Sequence, residues 1–370
     1  MKKIISLLAA VFMCLAAVGC SSLFNRKSEP VKPHLIDYAD REPNPVRRIN
    51  DASVEEGEFT LDPSEPLKTR LSELFEIVVK NGKRPVFTRG KNVDVKKVYD
   101  AAIAVLDRYI KNDFTPFERV HAIHDYLTSA VVYDEKLYLQ YLDDSASVSA
   151  DDPSFDISGV FLNRSAVCNG FARAVSFLCA VEGIESDMTE GTFSYSGVSI
   201  AHVWNKVKLD GDWYNLDATM DSIAFYQDKG DPVVVPHHGF FLLSDAALKG
   251  FGGHNPDSDG PPAQKDYPFH QNQPLFDIDG KTVTMQVNSR SELIEIFKFI
   301  KKNKRKHGQV ELRLNLGLSD YEAGFPGAYS DDIAEAYKSI SGEDYTYLPD
   351  KGIVPFMQYP RGVFVFLIYK

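Results

Sequence analysis

Cysteine is scarce in this chain, with four in 370 residues. Cys14 and Cys20 belong to the extreme N terminus, so Cys168 and Cys179 are left for the body of the chain. The apolar positions of 169–182 recur at helical spacing, and eleven residues of helix span roughly 16 Å. A disulfide needs Cα atoms within about 7 Å of each other. This spacing therefore excludes a bridge between Cys168 and Cys179 and predicts two free thiols.

Long hydrophobic runs are also rare, and the one at the N terminus is short for a membrane-spanning helix. Two lysines precede an apolar run over 4–19, which is the layout of a signal peptide. The segment 17–20, Ala-Val-Gly-Cys, resembles the lipobox of bacterial lipoproteins. We expect residues 1–19 to be removed and Cys20 to carry lipid that anchors the chain to a membrane of the bacterial cell envelope, outside the cytoplasm. The alternative is an ordinary signal peptide followed by a chance cysteine.

Basic residues are outnumbered, with 41 Lys and Arg against 52 Asp and Glu and a formal net charge of −11. This acidic balance argues against nucleic-acid binding and against broad attraction to anionic lipid. Phosphate-binding loops and dinucleotide fingerprints are absent from the sequence, so we expect no cofactor. At this length two domains are expected.

Histidines with metal-ligand spacing are few, and the sets they form are incomplete. His121 and His124 lie three residues apart on a predicted helix, without an evident third ligand. The pair His237 and His238 also lacks evident partners. The sequence therefore predicts no metal site.

The hydrophobic periodicity predicts an α+β protein with a helical N-terminal part. One helix is well marked, since Thr115 and Glu118 form a capping box with proline at the first helical position. Further helices are expected at 67–80, 93–112 and 169–182, and strands at 187–193, 198–209, 213–218 and 239–243. The C-terminal part offers strands at 282–287, 309–316, near 344–348 and 362–369, with helices opening at 289 and 331.

Composition shifts divide the chain into five segments. The predicted layout is a signal peptide (1–19), a tether (20–65), a larger domain (66–254), a linker (255–279) and a small α+β domain (280–370).

An Asp-Gly pair at 210–211 is a strong sign of a two-residue hairpin turn. In that register His202 lies opposite Thr219, and Asp217 projects from the same face of the sheet. Cys168, at the start of its predicted helix, lies where the macrodipole and free backbone amides favour a thiolate. These three side chains supply a nucleophile, a base and an orienting carboxylate.

Three motifs carry a family resemblance: SAVCNGFARA (165–174), AHVWN (201–205) and GDWYNLDATMD (211–221). Together they resemble the transglutaminase-like superfamily in its bacterial cysteine–histidine–aspartate form, over about 115–248. The resemblance implies a papain-like core, with Cys168 as the nucleophile, His202 as the base and Asp217 as its partner.

The resemblance implies acyl transfer through a thioester on Cys168, with hydrolysis or transamidation of a peptide or amide bond in an envelope protein or peptide. One departure is Ser158, where many relatives carry an aromatic residue near the oxyanion site. Ser158, Asn169 and Trp204 are the candidates for the substrate groove. The alternative function is a catalytically weak or inactive binding module for an envelope protein or polymer.

Overall fold

The computed structural model describes the central part of the chain and four further strands. The described residues are 48–49, 51, 53–195, 198–222, 224–225, 233–234, 238–258, 260–267, 282–287, 309–314, 353–358 and 363–368. The predicted signal peptide and the predicted lipid-bearing Cys20 lie outside them. Within the described residues, no helix has the length and apolar character needed to cross a bilayer.

Helices dominate the first half of the described chain. They are α1 (Leu67–Phe75), α2 (Val93–Tyr109), α3 (Pro116–Ala130), α4 (Glu135–Asp143) and α5 (Cys168–Val181). Two further helices, α6 (Ala218–Asp221) and α7 (Asp245–Gly252), lie among the later strands. The predicted capping box is confirmed, since Thr115 and Glu118 each accept a hydrogen bond from the other's backbone at the start of α3. The helix predicted at 67–80 ends in a π-helical turn at Glu76–Lys80.

A five-stranded sheet follows the helices and has the order β10-β7-β6-β5-β11. The strands before it are β1 (Glu56–Glu58), β2 (Arg84–Val86), β3 (Val132–Tyr133) and β4 (Ser165–Ala166). The sheet region contains β5 (Ser186–Tyr195), β6 (Val198–Leu209), β7 (Asp212–Leu216), β8 (Ala224–Phe225), β9 (Val233–Val234), β10 (Phe241–Leu243) and β11 (His254–Pro256). The strands β1–β2, β3–β4 and β8–β9 form separate pairs.

The hairpin between β6 and β7 has the register that its turn residues predict. Leu209 lies opposite Asp212, so Asp210 and Gly211 alone form the turn. Their φ angles are 53° and 87°, and two positive φ values are typical of the type I′ turn that Asp-Gly favours. The turn fixes where each later residue of β7 stands relative to β6.

Helix α5 forms the centre of the hydrophobic core and packs on β6 and α3. Its residues Phe177, Leu178 and Cys179 have no solvent exposure. The C-terminal end of α5 is joined to α3 by a buried ion pair between Glu182 and Arg119. Because a buried ion pair is satisfied only in good geometry, this contact restricts how α5 lies against α3.

The sheet continues into the segment predicted as a linker. β11 pairs antiparallel with β5 through His254 to Pro256. Farther on, the backbone N–H of Tyr267 donates to the carbonyl of Leu242. The first part of the predicted linker 255–279 is therefore packed on the sheet.

The C-terminal region contributes a four-stranded sheet of the order β12-β13-β15-β14. Its strands are β12 (Thr282–Val287), β13 (Gln309–Leu314), β14 (Ile353–Gln358) and β15 (Val363–Ile368). Three of them match predicted strands, while β14 was missed. The predicted strand near 344–348 and the two predicted helices lie outside the described residues.

Candidate active site

Cys168 is the first residue of α5 and is partly exposed to solvent. The preceding residue, Val167, makes no side-chain hydrogen bond to the helix end. The amides of the first helical turn have no partner within the helix, and the macrodipole adds partial positive charge there. The thiol therefore lies beside amides that can stabilise negative charge on sulfur or on a nearby oxygen.

His202 links this thiol to a buried carboxylate. Its Nε2 lies 2.6 Å from Oδ2 of Asp217, which leaves Nδ1 for the hydrogen bond with Cys168. Burial lowers the pKa of His202, but the Asp217 charge and hydrogen bonds to Asp217 and Cys168 outweigh it and raise the pKa to about 10. At neutral pH the imidazole is therefore protonated and faces the thiol as a cation.

Asp217 holds its position because it caps a helix. Strand β7 ends at Leu216, and Asp217 is the N-cap of α6, where Oδ1 accepts from the amides of Thr219 and Met220. The predicted pairing of His202 with Thr219 is therefore wrong, because Thr219 is helical. The predicted closeness of His202 and Asp217 is nevertheless found. Burial raises the Asp217 pKa, but the adjacent imidazoles outweigh it and hold the pKa well below its ordinary value.

His254 also belongs to this site, although the sequence did not predict it. Its Nε2 lies 2.8 Å from Oδ2 of Asp217, the same oxygen that His202 contacts. His254 begins β11, which lies close to β5 because Gly191 has no side chain: a Cβ there would lie 2.2 Å from the carbonyl oxygen of Asn255. The only local sign in the sequence was a histidine directly after two glycines.

Two buried asparagines connect the elements that carry the site. Asn205 of β6 donates to the carbonyl of Ala172 and to the hydroxyl of Ser176 on α5, at 3.0 Å each. These bonds fix the strand of His202 against the helix of Cys168. Asn215 donates to the Leu243 carbonyl at 3.1 Å and so joins β7 to β10.

Two of the three predicted groove residues line a cavity of about 380 Å³. Ser158 is buried, and the side chain of Asn169 donates to the Phe155 carbonyl at 2.8 Å. The acidic stretch 143–158 supplies much of the remaining lining, and Arg173 of α5 also contributes and pairs with Asp156 at 3.2 Å. This cavity adjoins the start of α5, since Asn169 follows Cys168.

Trp204 lies elsewhere. It is 2% exposed, and its indole N–H donates to Asn215 at 3.2 Å. Its ring stacks on His202 at a centroid distance of 6.1 Å and meets His254 edge-on at 5.0 Å. Trp204 therefore supports the two imidazoles from the interior and is not part of the cavity lining.

A tyrosine adds a further polar group near the thiol. Burial, with smaller contributions from Cys168 and nearby acidic groups, raises the pKa of Tyr133 well above its ordinary value. The phenol is therefore neutral at physiological pH and remains a hydrogen-bond donor.

Cys179 differs from Cys168 in every respect that matters for reactivity. The structure records the two as free cysteines, which confirms the prediction that they do not pair. Cys179 is fully buried, and burial raises the pKa of its thiol far above the ordinary value. A buried neutral thiol is inert.

In the part of the chain that the structure describes, two buried groups have the donor atoms that a metal ion needs. One is His202, Asp217 and His254. The other brings together His121, Asp125 and His238, so the expectation that His238 has no partner is wrong. The sequence pattern did not reveal the second group because His238 lies 113 residues beyond Asp125.

Comparison with known proteins agrees with this geometry. Residues 103–218 match the model of the Transglutaminase-like superfamily, and this range contains Cys168, His202 and Asp217. The kyphoscoliosis peptidase of Mus musculus is 24% identical over 229 residues, 54% of this chain and 32% of that protein. The chain thus spans about a third of the length of this curated relative.

Solved structures show weaker likeness. A crystal structure of a TGase has a TM-score of 0.30 and 17% identity, covering 41% of this chain and 38% of the other. A candidate cysteine protease from Cytophaga hutchinsonii has a TM-score of 0.24 and 20% identity, covering 33% and 37%. TM-scores this low add nothing about function. The family match, the sequence motifs and the mixed helix and strand structure together show that the chain carries a transglutaminase-like domain.

Proposed function

We propose that this protein is a cysteine acyl-transfer enzyme of the bacterial cell envelope that hydrolyses or transamidates a peptide or amide bond. The observation that carries the proposal is the hydrogen-bonded row of Cys168, His202 and Asp217 at an uncapped helix end. A nucleophile, a base and an orienting carboxylate in that order are what thiol acyl transfer requires.

The reaction begins with the thiolate of Cys168, stabilised by the imidazolium of His202. The sulfur attacks the substrate carbonyl carbon, and the oxyanion that forms is stabilised by amides of the first turn of α5. The neutral phenol of Tyr133 is our candidate for a second donor. The imidazolium then protonates the leaving amine, and a thioester remains on Cys168. Water or an amine attacks the thioester, and His202 accepts its proton.

An intact triad favours catalysis over the alternative role as a binding module. A module that only binds has no need of a buried carboxylate behind the histidine. The cavity lined by Ser158 and Asn169 is our candidate for the substrate groove.

The test is capture of the acyl-enzyme. Purified protein is incubated with envelope extract, and Cys168-containing peptides are examined by mass spectrometry for a thioester adduct. We expect an adduct that disappears in Cys168→Ala and persists in Cys179→Ala, the matched control for a buried thiol. If no adduct forms and the protein nevertheless binds an envelope component, the role as a binding module is favoured.

The same proposal includes export and a lipid anchor at Cys20, which rests on the lipobox-like segment. Cys20→Ser should release the protein from the membrane fraction, because the lipid would have no thiol to join. Fractionation and immunoblotting measure this directly. Unchanged membrane association in the variant would contradict the anchor and leave the acyl-transfer proposal standing.

A further inference from the structure

A second cluster of imidazoles surrounds a carboxylate on α3. Nε2 of His121 lies 3.0 Å from Oδ2 of Asp125, and Nε2 of His238 lies 2.9 Å from Oδ1 of the same group. The three donor atoms all lie within 4.8 Å of one another. The side chains are buried, with relative exposures of 7% for His121, 3% for Asp125 and 0% for His238.

The backbone holds two of the three donors together. His121 and Asp125 are four residues apart on α3, so they share one helix face. His238 arrives from the chain just before β10. The cluster therefore joins the helical part of the domain to its sheet.

The charge of this cluster is unusual for a protein interior. Within the described residues, the ion-pair partners of Asp125 are all histidines. A buried carboxylate among imidazoles, with no lysine or arginine partner in the described chain, is the kind of environment that a cation stabilises.

We propose that His121, Asp125 and His238 bind a divalent transition-metal ion, and that the ion is zinc. Imidazole nitrogens exclude calcium and magnesium, which take oxygen ligands. Zinc holds histidine and carboxylate ligands at about 2.0–2.2 Å, so neighbouring ligands of a tetrahedral ion lie roughly 3.3 Å apart. The donor atoms of the three residues lie within 4.8 Å of one another, so the side chains must close in by at most about 1.5 Å to reach that value.

A second carboxylate supports the cluster from behind. His124 directs Nδ1 to Asp125 at 3.5 Å and Nε2 to Asp221 at 2.9 Å. Asp221 also accepts from the amide of Phe240 at 2.9 Å. Because Asp221 ends the same short helix that Asp217 begins, an ion here would brace the turn that carries the triad carboxylate.

The aromatic ring of Phe241 packs against the three histidines of the cluster. The ring of Phe241 lies 5.9, 4.7 and 5.4 Å from the rings of His121, His124 and His238. Phe241 itself has no solvent exposure. A hydrophobic shell of this kind limits the access of solvent to the cluster.

Zinc binding is tested on the full-length protein in detergent. The protein is stripped with a chelator, titrated with zinc chloride against a chromophoric competitor, and melted with and without zinc. We expect about one zinc per chain and a higher melting temperature with zinc. His121→Gln and His238→Gln should each weaken zinc binding by about tenfold or more. Neither readout depends on activity.

His254→Gln is the matched control, since it removes a histidine from the other donor group and should leave zinc affinity unchanged. If the cluster variants fail to fold, cobalt substitution of the wild-type protein and of His254→Gln decides, because the proposed site should give the same d–d bands, without thiolate charge transfer, in both proteins. Failure of the wild-type protein to bind stoichiometric zinc would overturn the proposal. So would a thiolate band, or an equal loss of zinc in His254→Gln.

Discussion

The two oxygens of the Asp217 carboxylate have different hydrogen-bond partners. Oδ1 caps α6, while Oδ2 accepts from His202 and His254. Asparagine is an equally good N-cap but carries no charge. The residue can therefore be changed in a way that keeps the turn and removes the electrostatic support of the imidazole.

Asp217→Asn should lower both turnover and the alkylation rate of Cys168 by about 10²-fold or more, because His202 loses its preferred tautomer and its stabilised positive charge. The measurement is the rate of carboxamidomethylation at pH 7. Asp212→Asn is the control, since Asp212 begins β7 and its ion-pair partner among the described residues is the exposed Lys265. Full activity in Asp217→Asn, in an assay that Cys168→Ala abolishes, would make the carboxylate structural.

His254 is placed to position Asp217, without touching the thiol. His254→Gln should lower turnover less than Asp217→Asn does, by about tenfold, since one of the two imidazoles on Oδ2 remains. The loss of its hydrogen bond lets the Asp217 pKa rise, so the acid limb of the pH–rate profile should move to higher pH. A lower rate with an unmoved acid limb would mean that His254 acts only in packing.

Among the elements, the β6–β7 hairpin decides whether the triad assembles. A one-residue insertion between Asp210 and Gly211 changes the register, and a shift of one residue turns side chains to the other face. We expect a folded protein by circular dichroism whose Cys168 alkylation and turnover are strongly reduced. A one-residue insertion after Gly90, in an exposed turn outside the cavity lining, is the control. Equal activity in the two insertion variants would show that register does not matter here.

Local patterns predicted the elements well where the determinants are adjacent in sequence. The capping box of α3 and the turn at 210–211 each depend on a few neighbouring residues, and each has its predicted form. The end of β7 was misplaced, because an Asp that continues an alternating pattern can equally begin a helix. Asp217 does the latter.

Long-range pairings were not predictable in the same way. β11 is three residues long and ends in proline within a Gly- and Pro-rich segment, so composition indicated a linker. Its place beside β5 depends on Gly191, more than 60 residues earlier. His254 and His238 therefore join their sites through tertiary packing that single-sequence periodicity does not contain.

At the scale of the whole molecule, the buried ionised groups of the triad make stability depend on pH. The pKa of His202 is raised to about 10 from an ordinary 6.5, so its stabilising contribution is complete below pH 6.5 and is lost as the pH rises through 10. The Asp217 pKa is lowered from 3.8, so its contribution is complete above that value and is lost at lower pH. Their joint contribution is therefore largest between these two ordinary values.

His202→Gln removes this linkage. The free energy of unfolding of the wild-type protein should therefore exceed that of the variant by the largest amount near pH 5. This difference should shrink steadily from pH 7 to pH 10, because folded His202 keeps over that range a proton that the unfolded chain has already lost. Urea unfolding of the two proteins at each pH measures the difference, and the shared titration of lysines and tyrosines cancels in it. A difference that stays constant from pH 5 to pH 10 would mean that folding does not shift the pKa of His202, and the imidazolium beside Cys168 would have to be abandoned.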